Sequence, residues 1–428
     1  VMLLAALAVA EVVRLVVEFA RAGRPQRDPV RAAVPGIGTA VAGLLVILIL
    51  VGLPLGVLPW KERIVNQDGG TGYAWPSWSP LQFEASPASY VRGWADWNYS
   101  GYEGKAAYRE YYEIVQTMAR LGERDGGCGR AMWEYEAELD RYGTPMALML
   151  LPYWTDGCIG SMEGLYFEAS STTPWHFLMQ DELSEACSCA QRDMPYGRFN
   201  MSRGVQHMQL LGVKYYMATS DLAVQAASAH PDLTKVAESG PWVVFEVANA
   251  PLVQPLLNEP VVLDDNSGSQ HDWMEEPRDA GGRNDGVATR WYMHPELWDV
   301  MVSLGGPDEW ERIGSDEVIP GQPLDANAVE PAEVTNVEVG RETIEFDVGR
   351  VGAPVLVKAS YFPNWQASGA DGPWRVAPNL MVVVPTEEHV RLSFERTPVE
   401  WFAYLVTAVG IVGLVLLVRR GTTRFGEG

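Results

Sequence analysis

The run WFAYLVTAVGIVGLVLLV, from Trp401 to Val418, contains no charged residue. At about 1.5 Å per residue, a helix of this length approaches the roughly 30 Å of a bilayer's hydrocarbon core. Trp401 and Tyr404 stand at its start, where interfacial aromatic residues are common. The run therefore predicts a transmembrane helix over residues 401–418.

A second uncharged run, TAVAGLLVILILVGLPLGVL from Thr39 to Leu58, predicts a transmembrane helix over residues 38–59. The alternative for both runs is a buried core helix, although such helices rarely lack charge over this length. Arginines flank the outer sides of both runs, namely Arg14, Arg21, Arg24, Arg27, Arg31, Arg419, Arg420 and Arg424. Because cytoplasmic flanks are rich in arginine, we expect a cytoplasmic loop at 23–37, a cytoplasmic tail at 419–428 and an extracytoplasmic segment at about 60–400.

The N-terminal segment, VMLLAALAVAEVVRLVVEFARAG, lacks the basic start and cleavage site of a signal peptide. Its apolar residues run unbroken to Ala10, and Glu11, Arg14 and Glu18 then enter at helical spacing. We expect residues 1–22 to be the end of a truncated transmembrane helix. An amphipathic helix on the inner membrane surface is the alternative.

The chain carries a net charge of −23. Since both predicted cytoplasmic ends are basic, the segment between them is more acidic than the whole chain. An acidic body of this kind is repelled by phosphate backbones. The composition excludes nucleic acid as a partner and leaves the lipid bilayer as the predicted one.

All four cysteines, Cys128, Cys158, Cys187 and Cys189, lie in the segment predicted to be outside, where disulfides persist. Four cysteines allow three pairings. We favour Cys128 with Cys158, because Cys187 and Cys189 are the closest pair and are left over as a tight loop or as free thiols. A structural zinc site is the rival, but no C-x-x-C or nearby histidine pair accompanies the cysteines.

The segment PGQPLDANAVEPAEV, from Pro320 to Val334, is typical of a linker. Five stretches after it alternate or cluster β-branched residues between turn residues, which predicts a small all-β, sandwich-like module over 321–400. We expect Tyr361, Trp365 and Trp374 to lie on neighbouring strands of its core, with a turn at residues 369–373.

Residues 60–320 mix both element types. Helical spacing occurs at 102–123 and 131–143, and strand patterns occur at 214–220 and 242–248. The sequence does not decide the secondary structure of the stretch TTPWHFLMQDELS at 172–184. The predicted fold class is therefore a membrane-anchored α+β protein, with transmembrane helices flanking a large extracytoplasmic α+β domain and the β module.

Motifs that carry chemistry are few. The sequence has no P-loop, H-E-x-x-H or G-x-S-x-G, and its six histidines are scattered, so it predicts no catalytic residue, no metal and no cofactor. On the helix predicted at 131–143, Glu134 faces Glu138 and Glu136 faces Asp140. These pairs fit either a general acid and base or an ordinary charged face, and we favour the charged face. The DDNSG stretch at 264–268 is a solvated acidic loop or a loose calcium ligand set, and we favour the loop.

Aromatic content is high, with 16 Trp and 17 Tyr. An early cluster includes Trp94, Trp97 and Tyr99, which are candidate glycan contacts because flat aromatic faces suit sugars. Interfacial anchoring explains Trp60 and Trp75 without any ligand.

Four segments resemble the C-terminal part of large actinobacterial polytopic membrane proteins. They are LLPYWTDGCIGSMEGLYFEASSTTPWHF at 150–177, GVQHMQLLGVKYYMATS at 204–220, GPWVVFEVANAPLVQPL at 240–256 and VLVKASYFPNWQASGADGPWRVAPNLMVVVPT at 355–386. Those proteins are similar to the YfhO-type proteins and to the GT-C superfamily of glycosyltransferases, and are sometimes called "6-pyruvoyl-tetrahydropterin synthase-related". The resemblance covers roughly residues 90–420.

The resemblance implies an enzyme that uses a polyprenyl-phosphate-linked sugar and an envelope glycan acceptor at the outer membrane face. In that superfamily the catalytic acid lies in the first outer loop, and this sequence has no matching position. The chain would then supply the acceptor-side ectodomain. The alternative is a non-catalytic envelope protein whose ectodomain binds glycans or a protein partner.

Overall fold

The computed structural model describes residues 62–65, 71–74, 101–162, 171–191, 194–264, 273 and 286–420. The chain divides into two compact units, residues 1–106 and residues 107–428. In the first unit, strands β1 (Glu62–Val65) and β2 (Thr71–Ala74) form a two-stranded antiparallel sheet. A 3-10 turn, Tyr102–Gly104, belongs to the same unit.

A five-stranded sheet forms the first layer of the second unit. Its strands, in spatial order, are β4 (Ile159–Ser161), β3 (Gly129–Trp133), β5 (Val213–Ala218), β7 (Trp242–Val247) and β6 (Leu233–Ser239). β3 runs parallel to both β4 and β5, and the β5, β7 and β6 pairs are antiparallel. The strands predicted at 214–220 and 242–248 are thereby confirmed.

Among the described residues, six helices precede the C-terminal one. They are α1 (Tyr108–Gly122), α2 (Leu151–Trp154), α3 (Thr173–Leu183), α4 (Met201–Leu210), α5 (Asp221–Ala229) and α6 (Val287–Met293). In α1, Ile114, Met118 and Leu121 recur at helical spacing and are buried, so the helix predicted there is confirmed. All eleven residues of α3 are buried, which explains why the sequence left this stretch open.

The second helix predicted from spacing, at 131–143, is wrong. Ala131 to Trp133 end strand β3, and a 3-10 helix follows at Ala137–Tyr142. Pairing with β5 buries this segment in the sheet, and that tertiary contact outweighs the helix propensity of its Glu, Ala and Leu residues.

A seven-stranded mixed sheet forms a further layer. Its order is β11 (Arg312–Ile313), β9 (Val261–Leu263), β10 (Val302–Ser303), β16 (Ala370–Val376), β17 (Leu380–Pro385), β14 (Val355–Val357) and β8 (Val253–Pro255). β9 pairs in parallel with β10 and β11, and the other pairs are antiparallel.

A four-stranded antiparallel sheet has the order β12 (Val334–Val339), β13 (Thr343–Val348), β18 (His389–Phe394) and β15 (Trp365–Ser368). Phe346 and Val390 on this sheet share one apolar cluster with Val355 and Met381 of the seven-stranded sheet. Because the seven-stranded sheet takes strands from both sides of residue 320, the β region shares a sheet with the preceding chain and is no self-contained sandwich module. The predicted domain limits themselves stay predictions.

The prediction that Tyr361, Trp365 and Trp374 lie on neighbouring strands of one core is confirmed only in part. Trp365 lies on β15 and Trp374 on β16, in two different sheets, and Tyr361 precedes β15. The predicted turn at 369–373 is reduced to Gly369, at φ 75°, because β16 already begins at Ala370. Trp365 borders one apolar cluster and Trp374 borders the other.

Helix α7 (Pro398–Arg420) closes the described chain. Within the described part, it is the one helix long and apolar enough to cross a membrane, with mean hydropathy 2.0 over Pro398–Leu416 and none of that stretch buried. The span predicted at 38–59 and the helix predicted at 1–22 lie outside the described residues, so the multi-pass topology stays a prediction. A mixed α+β fold with one C-terminal apolar helix is what the structure establishes.

Candidate functional site

The carboxyl ends of the parallel strands β3 and β5 meet at one edge of the five-stranded sheet. Glu134 directly follows β3, and Thr219 and Ser220 directly follow β5. In open sheets with parallel strands, ligands bind outside these carboxyl ends. We call this edge, with Glu134, Glu136, Glu185 and Ser220, the carboxyl edge, and it is the candidate functional site.

Glu134 is fully buried at the carboxyl edge. Its Oε2 accepts the N–H of Thr219 at 2.7 Å and that of Ser220 at 2.9 Å, and its Oε1 accepts the Ser220 hydroxyl. The Ser220 Oγ in turn accepts the N–H of Ala223 and caps α5. Both carboxylate oxygens are used by the protein, so Glu134 anchors the edge to the helix.

Glu136 is half-buried and reaches solvent beside this anchor. Burial raises its pKa above the ordinary value, and the charges of Glu134, Glu185 and Glu138 raise the pKa further. A carboxyl group perturbed in this way can donate or accept a hydrogen bond nearer to neutral pH than an isolated one. Glu136 is therefore the group at the carboxyl edge best suited to contact a ligand.

The carboxylate pairs predicted from helical spacing are wrong. Glu134 lies at a strand end and Glu138 within the 3-10 helix, so they do not share an α-helical face. Glu136 and Asp140 flank and occupy that same 3-10 helix. The backbone of Ser220, 86 residues away, captures Glu134, which no local pattern could indicate.

A second polar cluster joins helices α3, α4 and α6. The His207 Nδ1 lies 2.5 Å from Oε2 of Glu182, and its Nε2 lies 3.0 Å from the main-chain oxygen of Tyr292. The His207 ring stacks on the Tyr292 ring at 3.9 Å between centroids. Arg203 Nε approaches the other Glu182 oxygen, Oε1, at 3.1 Å. We call these four residues the helix clamp.

The contact between Glu182 and His207 resembles a catalytic carboxylate and histidine pair, but the contact between His207 and the Tyr292 oxygen does not. Both ring nitrogens of His207 face oxygen atoms of the protein, and the side chain is fully buried. Neither nitrogen is free to take a proton from a ligand. The clamp therefore cross-links three helices, and catalysis at this point is not supported.

Two cations link the end of strand β14 in the seven-stranded sheet to strand β3 of the five-stranded sheet and to helix α4. Arg130, from β3, donates to the main-chain oxygen of Lys358, which directly follows β14. The Lys358 Nζ donates to the main-chain oxygen of Gln209 at 2.7 Å. Burial, and secondarily the charge of Arg130, lowers the pKa of Lys358 to about 7. This pair holds the layers together through carbonyl groups.

The disulfide predicted between Cys128 and Cys158 is present, with 4.7 Å between the Cα atoms. Each cysteine directly precedes one of the parallel strands β3 and β4, so the bridge joins the sheet edge opposite the carboxyl edge. Cys187 and Cys189 form a second bridge, with 5.2 Å between the Cα atoms. The sequence left a tight disulfide loop or free thiols open for this pair, and the structure has the disulfide loop.

The candidate glycan contacts Trp94, Trp97 and Tyr99 lie outside the described residues and stay predictions. Of the DDNSG stretch, only Asp264 is described, and it is exposed.

Sequence reasoning missed the helix clamp, because Glu182 lies on a helix without apolar periodicity and Tyr292 is 85 residues from His207. It also missed Lys358 as a buried cation.

Comparisons of the chain with protein-family models, with curated proteins and with solved structures find no match.

Proposed function

We propose that the chain is part of a plasma-membrane protein of the cell envelope, of the GT-C glycosyltransferase type, and that its described domain is the acceptor-side ectodomain. The membrane part would handle the polyprenyl-phosphate-linked sugar, and the ectodomain would bind the glycan acceptor. The observation that carries the proposal is helix α7, an exposed apolar helix joined directly to a folded, disulfide-containing domain.

The junction between the sheet and α7 is fixed by hydrogen bonds. Glu400 Oε2 accepts the N–H of Thr397 at 2.7 Å, and the Glu400 N–H donates to the Thr397 hydroxyl, which is the reciprocal pattern of a capping box. Asn364, in the loop before β15, donates to Glu400 Oε2 at 2.8 Å and to the main-chain oxygen of Glu395 at 2.7 Å. The start of the helix is thus tied to the loop before β15 and to the residue after β18, as an anchor for the domain requires.

An aromatic patch beside this junction supports the membrane placement. Phe362 and Phe394 are 52% and 38% exposed, and Trp365 meets Phe394 edge to face at 5.5 Å. Exposed aromatic rings next to a membrane helix suit the interfacial region of a bilayer. Arg396 lies over the Trp401 ring at 5.7 Å, a position from which its guanidinium can reach lipid headgroups.

The sidedness of the domain has two supports. Two disulfides are typical of an oxidising compartment, and Arg419 and Arg420 end α7 as cytoplasmic flanks commonly do. Both features support an extracytoplasmic position for the sheets. The net charge of −23 then belongs mainly to an exposed extracytoplasmic surface.

The carboxyl edge supports the glycan acceptor as ligand. Glu136, with its raised pKa, can hydrogen-bond to a sugar hydroxyl as donor or acceptor. The rigid anchoring of Glu134 by Ser220 would hold the edge ready for that contact. A neutral polyol suits this surface, because Glu136, Glu185 and Glu138 repel anionic ligands.

A non-catalytic envelope protein that binds glycans is the second candidate function. It is favoured by the full use of Glu134 and of both His207 nitrogens in contacts within the protein. Transfer of sugar from a polyprenyl-phosphate donor by the full protein would support the enzyme. Binding without transfer would favour this second candidate.

The test is equilibrium binding of envelope oligosaccharides to the full chain in lipid nanodiscs. Wild type is expected to bind, and Glu136→Gln to bind about tenfold more weakly, since a hydrogen bond to a charged group contributes about 1.5 kcal/mol or more. The matched control is Glu238→Gln, which changes an exposed glutamate on β6 and should leave affinity unchanged. Absence of binding in wild type contradicts the glycan proposal, and equal loss in both variants places the ligand elsewhere.

A further inference from the structure

The loop after α3 brings three sulfur and oxygen groups together. The sulfurs of Cys187 and Cys189 and one carboxylate oxygen of Asp181 all lie within 4.8 Å of one another. Asp181 is only 5% exposed, whereas Cys189 is exposed. A buried carboxyl group therefore lies beside a disulfide that solvent can reach.

The backbone at Cys189 departs from ordinary geometry. Its φ of 41° lies in the left-handed region, which residues other than glycine rarely adopt. A single residue, Ser188, separates the two bridged cysteines. Residues held in such a conformation persist only where the surroundings enforce it, and they cluster at functional sites. Opening the bridge would free this backbone to relax.

A hydrogen bond from the main chain holds the Asp181 side chain in place. Its Oδ2 accepts the N–H of Gly197 at 2.7 Å, so the side chain is anchored from the far side of the loop. Burial is the largest cause that raises the pKa of Asp181, and the charge of Glu182 adds to it. A carboxyl group with a raised pKa can carry a proton for a neighbouring sulfur.

We propose that the Cys187–Cys189 bridge is a thiol–disulfide exchange site, with a dithiol as its co-substrate and Asp181 as its proton carrier. The arrangement depends only on the loop and on α3, so it is independent of the proposed glycan binding. The Cys128–Cys158 bridge, which joins two paired parallel strands and has no such backbone conformation, is structural.

The exchange balances in two steps. A thiolate of the dithiol attacks the exposed Cys189 sulfur, the protein disulfide breaks, and Cys187 leaves as a thiolate that takes the proton of Asp181. The second thiol of the dithiol, losing its proton to the Asp181 carboxylate, then attacks the mixed disulfide and releases Cys189 as a thiolate, which solvent protonates. The protein gains two electrons and the dithiol becomes its own disulfide.

The experiment equilibrates the full chain in nanodiscs with mixtures of reduced and oxidised dithiothreitol, traps thiols with acid and a maleimide, and maps them by mass spectrometry. Cys187 and Cys189 are expected to become labelled at a reduced-to-oxidised ratio about tenfold or more lower than Cys128 and Cys158 need. Equal midpoints, or the reverse order, overturn the proposal. The Cys128 bridge also serves as an internal reference for folding.

The role of Asp181 has its own readout. Asp181→Asn keeps an oxygen for the Gly197 N–H, so the loop should fold. The variant is expected to slow the exchange about tenfold at neutral pH and to abolish the wild-type inflection of the rate against pH, with the midpoint ratio unchanged. A pH profile identical to that of wild type overturns the role of Asp181, whereas a changed midpoint assigns it to structure.

Discussion

Replacing Glu182 with leucine is expected to destabilise the domain by about 1–3 kcal/mol, because the buried carboxylate that contacts His207 and Arg203 is removed while the His207 ring stays buried. His207 would lose the contact at Nδ1 and Arg203 its contact at Nε. His207 Nδ1 would then lie buried without its partner, while His207 Nε2 would keep the Tyr292 oxygen and Arg203 would keep its bond to the main-chain oxygen of Met293. The measurement is the denaturant midpoint of the full chain in detergent micelles, followed by tryptophan fluorescence.

The control for this substitution is Glu238→Leu. Glu238 pairs with Lys235 at 2.6 Å, but both side chains are half exposed or more, and surface pairs contribute about 0–1 kcal/mol. Substituting Glu182 and His207 together, by leucine and phenylalanine, should recover part of the loss, since fewer buried polar groups remain unpaired. An effect of Glu182→Leu no larger than that of the control would contradict the helix clamp.

Lys358→Met is expected to remove most of a pH dependence that wild type shows between pH 7 and pH 9. Lys358 has a pKa of about 7 in the folded protein against 10.5 for the ordinary side chain. Between these values the unfolded chain binds the proton and the folded chain does not, so stability rises with pH and the gain is lost as the pH falls to 7. One such group contributes about 2 kcal/mol over this interval.

The measurement is the free energy of unfolding in micelles at pH 6, 7, 8 and 9 for wild type, Lys358→Met and Lys235→Met. Lys235 is half exposed and should leave the wild-type slope intact. Lys358→Met should be more stable than wild type at pH 6, where the folded wild type carries a buried charge. Parallel curves for all three proteins would show that Lys358 is not the titrating group.

Sequence patterns predicted helix α1, which buries one face, and helix α7, which is uncharged and exposed. Helix α1 followed from Ile114, Met118 and Leu121, and α7 from an uncharged run alone. These patterns could not predict α3, which is buried on every side and has no apolar stripe. At residues 131–133 the local pattern favoured a helix, but these residues form a strand because they pair with β5.

The candidate site was less predictable than the fold, because its contacts join distant parts of the chain. Glu134 was singled out from its charge, but its partners lie 85 and 86 residues away. The pairing of Cys128 with Cys158 could be inferred because four cysteines allow only three pairings and Cys187 and Cys189 are the closest two. Asp181 carried no signal at all, since only the fold places it beside Cys187 and Cys189.

The membrane placement of α7 is the claim on which the proposed function depends. A photo-crosslinking phenylalanine analogue, placed singly at Leu405, Phe394 or Tyr153 of the full chain in lipid vesicles, tests it by mass spectrometry of the adducts. All three side chains are exposed, and Tyr153 lies in α2, away from α7 in sequence. Lipid adducts are predicted at Leu405 and at Phe394 but not at Tyr153. Adducts at Leu405 no more frequent than at Tyr153 would contradict a membrane anchor, whereas their loss at Phe394 alone would remove only the aromatic patch from the bilayer surface.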